Sequence, residues 1–88
     1  MKNLNFIFSG VVQGVGFRYT VYHNALKYNV KGNVKNLSNS DVEANLEGEI
    51  ENIYKVIDAL RNYKIAKIDN IEVKENLICN YKKFEILY

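Results

Sequence analysis

The chain contains no proline, no tryptophan and only one cysteine, Cys79, in 88 residues. A lone cysteine forms no internal disulfide and supplies no redox pair, and beside Ile78 it reads as a small buried hydrophobe rather than a nucleophile. No apolar run approaches the span of about 20 residues that crosses a bilayer. The opening MKNLNFIFSG lacks the basic region, apolar segment and cleavage site of a secretory leader. These absences point to the cytoplasm and away from membranes. An excess of one charge is missing too: twelve Lys and Arg against ten Asp and Glu leave +2. That surplus is too small and scattered to be an electrostatic footprint for nucleic acid, though it slightly favours small anions. No cluster of His, Cys, Asp and Glu has the spacing of metal ligands, so no metal is expected. Without repeats, low-complexity tracts or linkers, residues 1–88 should form one domain, and nothing points beyond a monomer.

What the chain does contain is well-ordered periodicity. In LNFIFSGVV the apolar Leu4, Phe6, Phe8 and Val12 alternate with the other face, the period of a strand with one better-buried side. From Phe17 the spacing changes to three and four through Val21, Ala25, Leu26 and Tyr28, which predicts a helix of about ten residues ending near Asn29. KGNVKNL and DVEANLEG follow as strands across the Ser/Asn turn SNS. EIENIYKVIDALRNY sets Ile50, Ile53, Ile57 and Leu60 on one helical face, with Glu49 and Glu51 where the helix dipole favours anions. KIDNIEVK and YKKFEILY complete the chain as strands. The order βαββαβ plus a C-terminal strand predicts an α+β fold, a ferredoxin-like sandwich with two helices on one face of an antiparallel sheet. That architecture hosts enzymes and RNA binders alike, so function has to be read from a site.

The stretch QGVGFR is the first candidate. Glycines at 14 and 16 free the backbone to curl and aim successive N–H groups into one concavity, a nest for anions. A helix starting near Arg18 would add its own unpaired N–H groups and the positive end of its dipole. Arg18 brings a planar fork able to hold two phosphoryl oxygens, and it is one of only two arginines beside ten lysines. Taken alone, GxG is a weak motif that more often makes only a tight turn beside a solvated arginine. Arg61, late in the second helix, has a sufficient role at the C-terminal dipole.

The second candidate lies in GNVKNLSNSDVEANLEG. On a regular pleat Val34 and Asn36 share a face, so a core-facing Val34 turns the Asn36 amide toward the helices near the hairpin end. An amide there can both donate to and accept from a water without adding charge beside an anion. Thirteen asparagines in the chain make the residue type alone uninformative. His23, one turn into the first helix, is assigned to surface or core packing.

Taken together the two stretches resemble the acylphosphatase family. GVVQGVGFR is similar to the family's phosphate loop and its catalytic arginine, and GNVKN with DVEANLEG to the signature carrying its catalytic asparagine. The resemblance extends in length and element order over the whole chain. It implies that Gln13, Gly14, Val15, Gly16, Phe17 and Arg18 bind the phosphoryl group, that Arg18 and Asn36 are catalytic, and that no metal or cofactor is used. The implied partners are a small acyl phosphate and inorganic phosphate, the products being a carboxylate and phosphate. Three positions depart from the family pattern: Val11 for a basic residue, Asn33 for an aromatic, and Ser40 for a glycine, the last expected to leave the left-handed turn conformation to Asn39. The competing readings are an RNA-binding module, on the likeness of QGVGFRY to a base-stacking string, and a catalytically silent regulatory module on the same fold.

Overall fold

The computed structural model describes residues 1–88, in the order β1 (Lys2–Val11), α1 (Phe17–Lys27), β2 (Lys31–Asn36), β3 (Val42–Gly48), α2 (Ile50–Arg61), β4 (Lys67–Asn76) and β5 (Phe84–Ile86). The five strands form one sheet in the order β4-β1-β3-β2-β5. The first four pair antiparallel, and β5 runs parallel to β2 through Gly32–Phe84, Asn33–Glu85 and Val34–Ile86, so the sheet is mixed rather than wholly antiparallel. The expected final strand therefore contributes only three paired residues.

The core lies between the helices and one sheet face. Alternation in β1 drives Leu4, Phe6 and Phe8 inward, where they meet Val34 of β2 and Val42, Ala44 and Leu46 of β3. Helix α1 covers them with Phe17, Val21 and Ala25, and α2 with Ile53, Val56, Ile57 and Leu60. Leu26 and Ile50, both expected in the apolar faces, are exposed: Leu26 sits off the buried stripe, and Ile50 opens α2 before the helix reaches the sheet. Helix α1 ends in a Schellman arrangement. Asn29 takes φ 56 while its N–H reaches Leu26 O at 3.3 Å and that of Val30 reaches Ala25 O at 2.8 Å.

The opposite sheet face is polar and hydrogen-bonded across strands. Asn5 Nδ2 donates to Asn45 Oδ1 at 2.8 Å, and Asn45 Nδ2 donates to Asn33 Oδ1 at 3.0 Å, along residues that are register partners on β1, β3 and β2. Asn33 thus ends an amide ladder across the three strands.

Glu47, only 2% exposed, anchors the β4–β5 connection. Its carboxylate accepts from the backbone N–H of Cys79 at 2.6 Å, from that of Tyr81 at 2.8 Å and from Asn3 Nδ2 at 3.1 Å. Cys79 is exposed, contrary to the burial expected from its apolar neighbour. The connection is held by its backbone, which leaves both Cys79 and Ile78 outside the core. Burial pushes the Glu47 carboxyl up, but the N–H groups of Cys79 and Tyr81 with the Asn3 amide outweigh it and hold the group below its ordinary value. A carboxyl lowered in the folded state contributes stability in full above its unfolded pKa and loses it as pH falls through the folded one. Glu47→Gln is therefore expected to cost about 1–3 kcal/mol near neutrality, because an amide cannot accept all three donors. Urea unfolding followed from about pH 7 to about pH 3 should show a shallower acid loss in the variant than in the wild type.

Candidate active site

Residues 12–16 must take the chain from the end of β1, an interior strand, to the start of α1 on the helix side of the sheet. They do so with φ 74 at Gly14 and φ 75 at Gly16, on either side of a Val15 that keeps negative φ. Alternation of this kind turns successive N–H groups toward one side. None of the backbone N–H groups from Gly14 to Tyr19 donates to another protein atom, and the first internal bond of the helix is Thr20 N to Gly16 O at 3.1 Å. Phe17 fixes the position of this helix end: it is buried with its ring edge-on to Phe8, centroids 5.1 Å apart.

A cavity of about 90 Å³ opens at this helix end, lined by Val12, Gly14, Gly16, Phe17, Arg18, Tyr19 and Asn36. Residues 18 and 36, expected from separate motifs, thus border the same space. Asn36 closes β2 opposite Val42, and its Oδ1 is a buried acceptor without a hydrogen-bond partner. An unpaired buried acceptor costs about 1–3 kcal/mol, which a donor entering the cavity would recover. Arg18 is half-buried. Its Nη1 donates to the Leu87 carbonyl at 3.3 Å, and its Cζ lies 5.0 Å from the centroid of the Tyr88 ring.

Gln13 and Val15, the other members of the expected loop, do not line the cavity but frame it. Gln13 Nε2 donates to Leu37 O at 2.9 Å and to Asp41 O at 2.8 Å, bracing the loop on the β2–β3 hairpin that carries Asn36. The Val15 carbonyl accepts from the Tyr63 hydroxyl at 2.6 Å. In the hairpin it is Ser40, at φ 79, that adopts the left-handed conformation, not Asn39. The Asn39 side chain instead makes an Asx turn, its Oδ1 accepting from Asp41 N at 3.1 Å, which leaves the next residue to complete the reversal. Val11 is exposed and outside the cavity lining. His23 is exposed, its ring 6.2 Å from that of Tyr19 and 5.4 Å from that of Tyr22. Tyr63, Leu87 and Tyr88 were missed in the sequence because nothing local to them signals partners so far along the chain, 48 residues away for Tyr63 and 69 for Leu87.

The RNA-binding alternative needs aromatics displayed on central strands. Phe6 and Phe8 are 0% exposed, and QGVGFRY leaves the sheet to open a helix. No three His, Cys, Asp or Glu residues lie close enough together to hold a metal ion, and no helix is long and apolar enough to cross a membrane.

Fold and cavity together define an α+β sandwich with a small polar site at its first strand-to-helix junction. A family model described as Acylphosphatase matches residues 4–86. An acylphosphatase of Vibrio vulnificus is 44% identical over 85 residues, covering 93% of this chain and 92% of that protein. The crystal structure of acylphosphatase from Bacillus subtilis aligns over 100% of both chains with a TM-score of 0.94 at 34% identity. A probable carbamoyltransferase HypF of Methanocaldococcus jannaschii is 43% identical over 81 residues, which cover 90% of this chain but 10% of that one. The chain belongs to the acylphosphatase family.

The Gln13 brace gives a direct check on how the two halves of the site are held together. Gln13→Met keeps the side chain's length and removes both donors. It is expected to lower stability by about 1–3 kcal/mol, read as a lower urea midpoint at unchanged slope.

Proposed function

We propose that this protein hydrolyses the carboxyl-phosphate bond of small acyl phosphates, releasing a carboxylate and inorganic phosphate, as a cytoplasmic monomer that needs no metal. The observation that carries the reading is the single cavity bordered by Arg18, by Gly14 and Gly16 and by Asn36, whose buried Oδ1 has no hydrogen-bond partner. Unpaired N–H groups from Gly14 to Arg18 and the Arg18 guanidinium bind the phosphoryl oxygens, at the positive end of the α1 dipole. Donors fixed before the ligand arrives stabilise charge in the transition state without reorganising.

Asn36 Oδ1 accepts one hydrogen of a water and so directs a lone pair of that water at phosphorus. The P–O bond to the acyl oxygen breaks as the water oxygen attacks, and the carboxylate departs with the bonding pair. A carboxylate is a good leaving group, so no strong general acid is required. The water's proton passes to a phosphoryl oxygen of the substrate, leaving phosphate and carboxylate as products. Positioning and charge stabilisation supply most of the catalysis in transfers of this kind.

The deciding experiment is steady-state hydrolysis of an acyl phosphate with and without a chelator, which should leave the rate unchanged. Asn36→Ala should abolish nearly all turnover yet retain the rise in melting temperature that inorganic phosphate gives the wild type, since ligand bound only to the folded state stabilises it by mass action. Wild-type turnover in Asn36→Ala would remove that residue from the site.

Arg18→Lys separates charge from shape. A lysine keeps the charge but presents a point donor on a flexible stem, so a loss of about a hundredfold in kcat/KM, about 3 kcal/mol, is expected. Arg61→Lys is the control and should retain full activity. Equal, full activity in both lysine variants would reduce Arg18 to a surface charge.

A further inference from the structure

Tyr63 stands two residues beyond the end of α2, on the far side of the glycine loop from the cavity it helps to frame. Its hydroxyl donates to Val15 O at 2.6 Å, and its own N–H reaches back to Leu60 O at 3.1 Å. The side chain is half-buried and packs against the core, so its hydroxyl is a fixed point.

The peptide it grips joins Val15 to Gly16. A trans peptide is planar, with C=O and N–H pointing in opposite directions, and this chain has no cis bond. Holding the Val15 carbonyl toward α2 therefore sends the Gly16 N–H the other way. The cavity lies on that other side, because Gly16 lines it while Val15 and Tyr63 do not. The Gly16 N–H has no acceptor within the protein. Rotation of this peptide meets little steric resistance, since the glycine at 16 tolerates either sign of φ. A flipped peptide would present the negative end of a carbonyl to the cavity in place of a donor.

We propose that Tyr63 is a positioning residue of the site: its hydroxyl locks the Val15–Gly16 peptide in the one orientation that offers an N–H to the phosphoryl group. The inference rests on reading the loop as the phosphoryl cradle. It also accounts for the close fit at Gly16, where an added Cβ would lie 3.1 Å from the Tyr63 hydroxyl.

The test compares wild type, Tyr63→Phe and Tyr54→Phe, the last losing a hydroxyl from the exposed side of α2. Inorganic phosphate is titrated against each while backbone amide NMR signals are followed, and kcat and KM are measured for an acyl phosphate. Tyr63→Phe should raise the phosphate dissociation constant and KM about tenfold and lower kcat, as expected of a misaimed donor. The Gly16 amide, strongly shifted by phosphate in the wild type, should respond weakly in Tyr63→Phe and normally in Tyr54→Phe. A merely structural tyrosine would lower the melting temperature and leave the phosphate affinity of the folded protein, and the Gly16 response, unchanged. That result overturns the proposal. Should Tyr63→Phe not fold, the wild type still decides: a Gly16 amide unmoved by phosphate while the Arg18 amide shifts would show that this peptide does not face the ligand. Wild-type turnover is read separately, so failure to hydrolyse any acyl phosphate sinks the hydrolase reading, whereas the binding ratio alone judges Tyr63.

Discussion

A chain leaving β1 at Val11 has only residues 12–16 in which to turn and begin a helix over the same sheet. That constraint governs the rest of the site. A reversal this tight demands positive φ at two positions, which glycines 14 and 16 supply, and positive φ alternating with negative φ gathers the N–H groups on one side. The same turn brings the helix end, with its unpaired donors, next to the last residue of β2. Arg18 and the glycine loop thus meet Asn36 at one cavity because the sheet order puts β3 alone between β1 and β2.

Elements with a local cause were legible in the sequence. Period-two alternation marked β1, the shift to spacings of three and four marked α1, and the glycine pair marked their junction. Arg18 and Asn36 could be assigned as a pair through the family resemblance, and the cavity shows them bordering one space. The features that escaped were those made by distant partners. Glu47 reads as an ordinary strand-end carboxylate until the loop at 79–81 folds onto it. Cys79 looked apolar by its neighbours, yet backbone hydrogen bonds rather than side-chain burial hold that loop. Parallel pairing of β5 with β2 leaves no trace in either strand's periodicity, because pattern reports which face is buried and not which strand lies alongside. Ser40 in the left-handed position was obscured by Asn39, the better-suited residue, whose side chain was already committed to the turn.

The asparagine-rich composition takes on meaning in the folded sheet. Asn5 donates to Asn45 and Asn45 to Asn33, so a row of amides links three strands, with Asn5 also donating to the Glu43 carboxylate at 3.0 Å. A flat polar face of this sort pins the register of the central strands, because a slip of one residue would break every rung and turn the amides into the core. Fixed register in turn sets the height of Asn36 relative to the loop.

The C-terminal residues bear on Arg18 in a way that concerns timing more than strength. A free arginine side chain carries about 2 kcal/mol of rotamer entropy. Here the Leu87 carbonyl and the Tyr88 ring already confine the guanidinium from one edge and one face. Much of that disorder is surrendered when the protein folds, shared among all the interactions of the native state, and so it is not lost a second time when a group enters the cavity. A domain of this size thus presents, at the mouth of its cavity, a cation that hardly has to rearrange.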